Sequence, residues 1–276
     1  MVAHRGFSGP EPEQTRAAYV AAIDLARRHE APITLECDVH LSADDELICL
    51  HDLNLARTGG REVAARDLTV ARLKDVDFGS WRTPEPTRAQ RELLTLAELF
   101  DLVAAARADG VEVSLAVETK HPNPAGLEVE QRLRTLLAGY GWLGDDPFGV
   151  APVRMISFFD RAIGALHDTG LHRTWVVSDP ASGPGSSGLD VSDGSLPPAA
   201  AGADAIGASQ RLLKSDPGYA RRVIERGHEL QAWTTNEPAD ITYCLDVGAR
   251  AITSDWPDRV FEVLAATGRR PGVGIG

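Results

Sequence analysis

Residues 2–39 read VAHRGFSGPEPEQTRAAYVAAIDLARRHEAPITLECDV, and this stretch decides the fold class. It opens on the short apolar pair Val2–Ala3, turns at His4–Arg5–Gly6 and runs through polar residues into Thr15–His29. There Ala18, Ala22, Leu25 and Ala26 recur at helical spacing on one face. Ile33–Val39 follows as an extended segment. Strand, helix and strand in that order make a βαβ unit, which commits the two strands to a parallel sheet.

The unit repeats along the chain. Extended segments recur at Val113–Glu118, Val153–Phe159, Thr174–Ser178, Ala205–Ala208, Leu230–Thr234 and Ala251–Ser254. Helical patterns fill most gaps, at Leu96–Ala108, Leu127–Leu137, Asp160–His167, Pro217–Gly227 and Pro238–Gly248. Gly110, Gly170, Gly227 and Gly248 stand where such helices end. Eight strands in a chain of 276 residues predict a closed (β/α)8 TIM barrel. A doubly wound open sheet is the competing topology, but no GxGxxG turn follows the first strand. Residues 1–276 then form one domain, with two departures from the alternation. Residues 53–92 are polar and read as a rim insertion after the second strand region. Residues 179–198, DPASGPGSSGLDVSDGSLPP, read as a flexible loop.

Composition excludes several functions. Lys and Arg number 28 against 40 Asp and Glu, for a net charge of −12, which argues against a nucleic-acid partner. No apolar run is long enough to cross a bilayer, so no stable membrane insertion is expected. Three scattered cysteines with no CxxC pair read as small buried hydrophobes, and they suit a cytoplasmic protein with no disulfide framework.

In such barrels chemistry collects at the C-terminal ends of the strands. Glu36 and Asp38 are two apart, so both point to one face while Cys37 points to the surrounding helices. Glu118 adds a third carboxylate. Three carboxylates without clustered Cys or His ligands suit one hard divalent cation, Mg2+ or Ca2+. His4 and His51 stand at two other strand ends, and neutral imidazole titrates in the range that acid–base catalysis needs. Arg5 and Lys120 supply fixed positive charge suited to a phosphate. His40 continues the face of Glu36 and Asp38 toward the barrel mouth, and His121 follows Lys120 toward the pocket. His29, His167, His172 and His228 are expected to be solvated. Glu13 is read as capping the first helix and supporting the site. A glycosidase could use paired carboxylates on this fold, but it has no need of Arg5, Lys120 and two histidines.

The residues also match a known family. HRGFSGPEPEQT (4–15) resembles the HRG…PENT signature of glycerophosphodiester phosphodiesterases. LECDVHLSADDELICLHD (35–52) resembles their E-x-D-V…T-x-D-G…HD segment, and HDLNLART (51–58) their HD-x-x-L-x-R-T. AVETK (116–120), ISFFD (156–160), AWTTN (232–236) and AITSDWPD (251–258) are similar to later family motifs, in the same order. Gln14 departs from the usual Asn, Asp45 from the usual Gly, and Thr119 from the usual Ile or Leu.

The resemblance implies a (β/α)8 barrel with a small insertion after the HD segment. It implies hydrolysis of a small-molecule glycerophosphodiester to sn-glycerol 3-phosphate and an alcohol, through attack of the glycerol 2-hydroxyl. It further implies a divalent cation held by Glu36, Asp38 and Glu118, an acid–base pair of His4 and His51, phosphate contacts from Arg5 and Lys120, and a pocket wall at Trp233. The alternative within the family is a lysophospholipase D acting on a larger lipid. That activity calls for an apolar groove, for which Trp81, Phe78, Trp142 and Phe148 are candidates.

Overall fold

A computed structural model describes residues 1–143, 152–178 and 202–270. The 179–198 segment and Phe148 lie outside the described residues. The strands are β1 (Val2–Ala3), β2 (Ile33–Leu41), β3 (Leu47–Cys49), β4 (Val113–Thr119), β5 (Val153–Ser157), β6 (His172–Val177), β7 (Ala205–Ser209), β8 (Glu229–Trp233) and β9 (Ala251–Ser254). All but β3 are parallel neighbours, and β1 pairs with both β2 and β9, which closes an eight-stranded barrel with helices between strands. β3 returns antiparallel along the end of β2, pairing Val39 with Cys49 and Leu41 with Leu47. It delivers the chain to His51 beside the barrel mouth.

The alternation along β2 sorts its side chains. Leu35, Cys37 and Val39 join the main apolar core under the helices. Thr34, Glu36, Asp38 and His40 occupy the other face, buried inside the barrel. The parallel register sets Asp38 beside Glu118 on β4. All three cysteines are buried and free.

Local signals fix the helices. Thr15 caps the helix Arg16–His29 by accepting from the Ala18 N–H. Thr95 and Glu98 form a capping box at the start of Leu96–Ala108. Among the described residues, Gln210–Ser215, Pro257–Ala266 and the short helices within residues 53–92 escaped the periodicity reading. β5 ends at Ser157, whose hydroxyl accepts from the Phe159 N–H, and the next helix runs Asp160–Ala165.

Residues 53–92 form short helices at Ala56–Gly59, Val70–Leu73 and Arg88–Arg91. They are not merely polar: Leu55, Ala65, Leu73, Val76 and Phe78 pack with Ile48, Leu50 and Leu93 as a second core. Each large side chain buried there contributes on the order of 1.5–3 kcal/mol. That core holds the segment against the end of β3, next to His51.

Candidate active site

The loop after β1 wraps the barrel mouth. Gly6 has φ +81°, and a Cβ there would come within 2.7 Å of the Ala18 backbone carbon, so the sharp turn after His4 and Arg5 requires glycine. Arg5 and Gln14 adopt φ +56° and +60°, a left-handed conformation that costs non-glycine residues on the order of 1 kcal/mol. Contacts with the carboxylates hold both in place. The Arg5 N–H donates to Glu36 Oε2 at 2.7 Å. The Gln14 amide donates to Asp38 Oδ2 at 2.6 Å, while its Oε1 accepts from the Asp38 N–H at 3.2 Å.

Glu36, Asp38 and Glu118 each offer an oxygen within 4.8 Å of the others, and all three are buried. Two cations balance them in part. Lys120 Nζ lies 2.9 Å from Asp38 Oδ1 and 2.6 Å from Glu118 Oε1, and Arg5 Nε lies 3.2 Å from Asp38 Oδ2. Burial, then the neighbouring Asp38 and Glu118 charges, drive the Glu36 carboxyl far above its usual range. Burial pushes Glu118 up to about 7 against the pull of Lys120. Burial also raises Asp38, but Lys120 and Arg5, then His51 and His4, outweigh it and hold that carboxylate ionised. Even with Arg5 and Lys120 present, then, the cluster lacks positive charge. Three buried hard oxygens in that condition fit a divalent cation.

Each histidine expected to act is tied to a carboxylate. His4 Nδ1 lies 2.6 Å from Asp255 Oδ1, and Asp255 is held in turn by Asn236 at 2.7 Å and the Ser8 hydroxyl at 3.1 Å. Burial raises Asp255, but the hydrogen bond and charge of His4 bring it down to about 2. His51 Nδ1 lies 2.7 Å from Asp52 Oδ1. Burial depresses the His51 imidazole; Asp38 opposes this, while Lys120 and Arg5 reinforce it. In both pairs Nδ1 is engaged, which leaves Nε2 for chemistry.

Residues 4–147 match the glycerophosphoryl diester phosphodiesterase family. Over 264 residues the chain is 32% identical to the probable glycerophosphodiester phosphodiesterase 1 of Mycobacterium tuberculosis, covering 94% of this chain and 90% of that one. The chain belongs to the glycerophosphodiester phosphodiesterase family. It is a phosphoric diester hydrolase. Solved structures with similar folds include a putative glycerophosphoryl diester phosphodiesterase from Silicibacter pomeroyi, at TM-score 0.78 and 23% identity, covering 98% of this chain and 94% of that one. Another is a phosphodiesterase from Oleispira antarctica in complex with the product sn-glycerol-3-phosphate, at TM-score 0.74 and 23% identity, covering 96% of each chain.

Several residues of this phosphodiesterase sit differently from the sequence expectation. Glu13 does not cap the first helix; Thr15 does. Glu13 instead accepts from Arg5 Nη1 at 2.9 Å and from both terminal nitrogens of Arg57 at 2.8 Å. His40 is buried, its Nε2 3.0 Å from the His51 carbonyl, so it braces that turn rather than opening on the mouth. His121 is buried between Glu130, at 2.9 Å, and the face of Phe159. His172 is half-buried rather than fully solvated. It begins β6 inside the lower end of the barrel, where burial, then the Arg154 charge, bring its imidazole down to about 4.

Of the aromatic residues expected to line a groove, Trp81 is exposed beside Arg57 and Arg82, while Phe78 and Trp142 pack into cores. Phe78 is buried in the insertion core, and Trp142 packs on Phe100 and Tyr140 in the main core. Trp233 stands at the end of β8, its indole N–H donating to the Gly207 carbonyl at 2.9 Å and its ring edge-on to Phe158. Phe158 in turn lies under Lys120 Nζ, 5.9 Å from the ring centre. Sequence reasoning missed Gln14 as a clamp on Asp38, and Asn236 and Asp255 as supports of His4. For Asn236 and Asp255 the available signal was their place in the TTN and SD motifs at strand ends.

Proposed function

We propose that this enzyme hydrolyses small glycerophosphodiesters to sn-glycerol 3-phosphate and an alcohol, with Glu36, Asp38 and Glu118 holding one Mg2+ or Ca2+ and His4 and His51 moving the protons. The observation that carries the reading is the pairing of a charge-deficient carboxylate trio with two imidazoles. Each imidazole is anchored through Nδ1, and both are near enough to lower the Asp38 carboxyl. The product bound to the Oleispira antarctica phosphodiesterase supports the same product here. Phe78 and Trp142 lie in cores rather than along a groove, which favours a small substrate over one with a long acyl chain. Free buried cysteines support a cytoplasmic setting, and among the described residues no helix is long and apolar enough to cross a membrane.

When bound, the divalent cation supplies charge neutralisation at the phosphoryl oxygens. Fully ionised, the three carboxylates would outnumber Arg5 and Lys120, and a divalent ion held by them would cover that deficit. With a cation held by Glu36, Asp38 and Glu118, Arg5 and Lys120 would have donors to offer the phosphate, and Trp233 would wall the glycerol or alcohol side.

One imidazole Nε2 takes the proton of the glycerol 2-hydroxyl as that oxygen bonds to phosphorus. The other, protonated, gives its proton to the departing alkoxide as the ester P–O bond breaks. This leaves a cyclic phosphate. In the second step the histidines exchange roles: one deprotonates water attacking phosphorus, and the other protonates the 2-oxygen as the ring opens. A 2-deoxy glycerophosphodiester tests the internal attack. It should bind and resist hydrolysis; turnover equal to that of the parent substrate would rule out the 2-hydroxyl as nucleophile.

A further inference from the structure

Arg57 has no part in the chemistry just described, yet it joins the rim insertion to the site. Its Nε donates to Asp52 Oδ2 at 2.7 Å, and its two terminal nitrogens grip both oxygens of Glu13 at 2.8 Å. Asp52 uses its other oxygen on His51 Nδ1 at 2.7 Å, and Glu13 uses Oε1 on Arg5 at 2.9 Å as well. One planar guanidinium thus spans the carboxylate that orients His51 and the carboxylate that orients Arg5.

We infer that Arg57 is a positioning residue for His51. It fixes Asp52 so that the imidazole keeps Nδ1 toward Asp52 and Nε2 toward the substrate. This rests on the reading of His51 as one of the proton-transfer residues. A three-pronged grip of this kind uses the rigid fork that Arg offers and Lys lacks. The insertion core behind it, with Leu55 and Phe78, keeps the helix Ala56–Gly59 in place. The exposed ring of Trp81 lies 5.8 Å from the Arg57 guanidinium and covers one side of it.

The electrostatic consequence has a definite sign. The groups that act on His51 are Asp38, Lys120, Arg5 and Asp52, and His40 contacts its carbonyl. Arg57 offsets the Asp52 charge. Without Arg57, Asp52 attracts a proton onto His51 more strongly, so the imidazole pKa rises and the pH limb it controls moves to higher pH.

The test uses the full-length, cation-loaded enzyme and glycerophosphocholine as the probe. Arg57→Gln should lose roughly 10- to 100-fold in kcat, as loss of a group orienting a catalytic side chain does. Its His51 ring titration, followed by NMR, and one limb of its pH profile should move upward. Arg57→Lys should return the limb toward its wild-type position while recovering only part of kcat. Arg82→Gln, which removes a neighbouring guanidinium 5.9 Å from Trp81, should leave both readouts unchanged. If Arg57→Gln loses activity while the His51 titration stays at its wild-type position, the residue is merely structural and the inference is wrong. If His51→Ala is inactive and Arg57→Gln keeps wild-type kcat and pH profile, the inference alone is wrong. If His51→Ala keeps turnover, the reading of His51 fails first and takes this inference with it.

Discussion

His4 Nδ1 and Asp255 Oδ1 lie 2.6 Å apart although 251 positions separate them in the chain. Closure of the barrel between β1 and β9 makes that contact, so the end of the last strand orients the histidine at the end of the first. Asp255→Asn keeps the shape but lets the imidazole take the wrong tautomer. It should lower kcat by roughly 10²- to 10⁴-fold, as for other carboxylate-oriented histidines. Cation affinity, measured by calorimetry, should stay within a few fold. Wild-type kcat in this variant would contradict the role given to the pair.

Cation binding should depend on pH with a known sign. In the ion-free protein burial holds Glu118 at about 7 and Glu36 well above its usual range, so both carry protons in mildly acid solution. A cation must displace those protons, and apparent affinity should rise with pH, from about pH 5 to about pH 8. Calorimetry at about pH 6, in buffers of different ionisation enthalpy, should show protons released on binding. Heats that do not depend on the buffer would refute this account of the trio.

Lys120 Nζ sits 2.9 Å from Asp38 and 2.6 Å from Glu118, where its charge competes with a bound ion. Lys120→Met should therefore bind Mg2+ or Ca2+ more tightly and sn-glycerol 3-phosphate more weakly. KM should rise, and Glu118 should titrate still higher in the ion-free state. Weaker binding of both ligands would show that Lys120 organises the carboxylates instead of balancing them.

His172 offers a stability test away from the chemistry. Burial, with Arg154 nearby, lowers its imidazole from 6.5 to about 4. Between those values the unfolded chain binds the extra proton and the native protein does not. Stability should accordingly rise with pH across that window. Denaturant unfolding of His172→Asn should give a flatter dependence there. A slope identical to the wild type would assign it to other groups.

Much of the carboxylate site was legible because a strand has period two. Glu36 and Asp38 had to share a face, and Cys37 had to oppose them. The partners of the site were less accessible. Arg57 and Glu13 are 44 residues apart, and nothing local to either shows that the insertion folds back over the first loop. His172 was misjudged because β6 begins two residues before the extended segment read at Thr174–Ser178, which sets His172 in phase with inward Thr174. Gln210–Ser215 is too short to display a helical period. Trp142 looked like a pocket aromatic, but a loop residue's packing depends on which helix passes beneath it, here the one carrying Phe100.

The most direct test of the central claim is release of sn-glycerol 3-phosphate from a panel of glycerophosphodiesters, measured before chelation, after it, and after adding back Mg2+ or Ca2+. The account predicts that chelation abolishes release and that one of the two ions restores it. It further predicts that Glu36→Gln and Asp38→Asn need far more ion than the wild type for the same rate. Undiminished release in excess chelator, with the protein shown by elemental analysis to be free of metal, would contradict it.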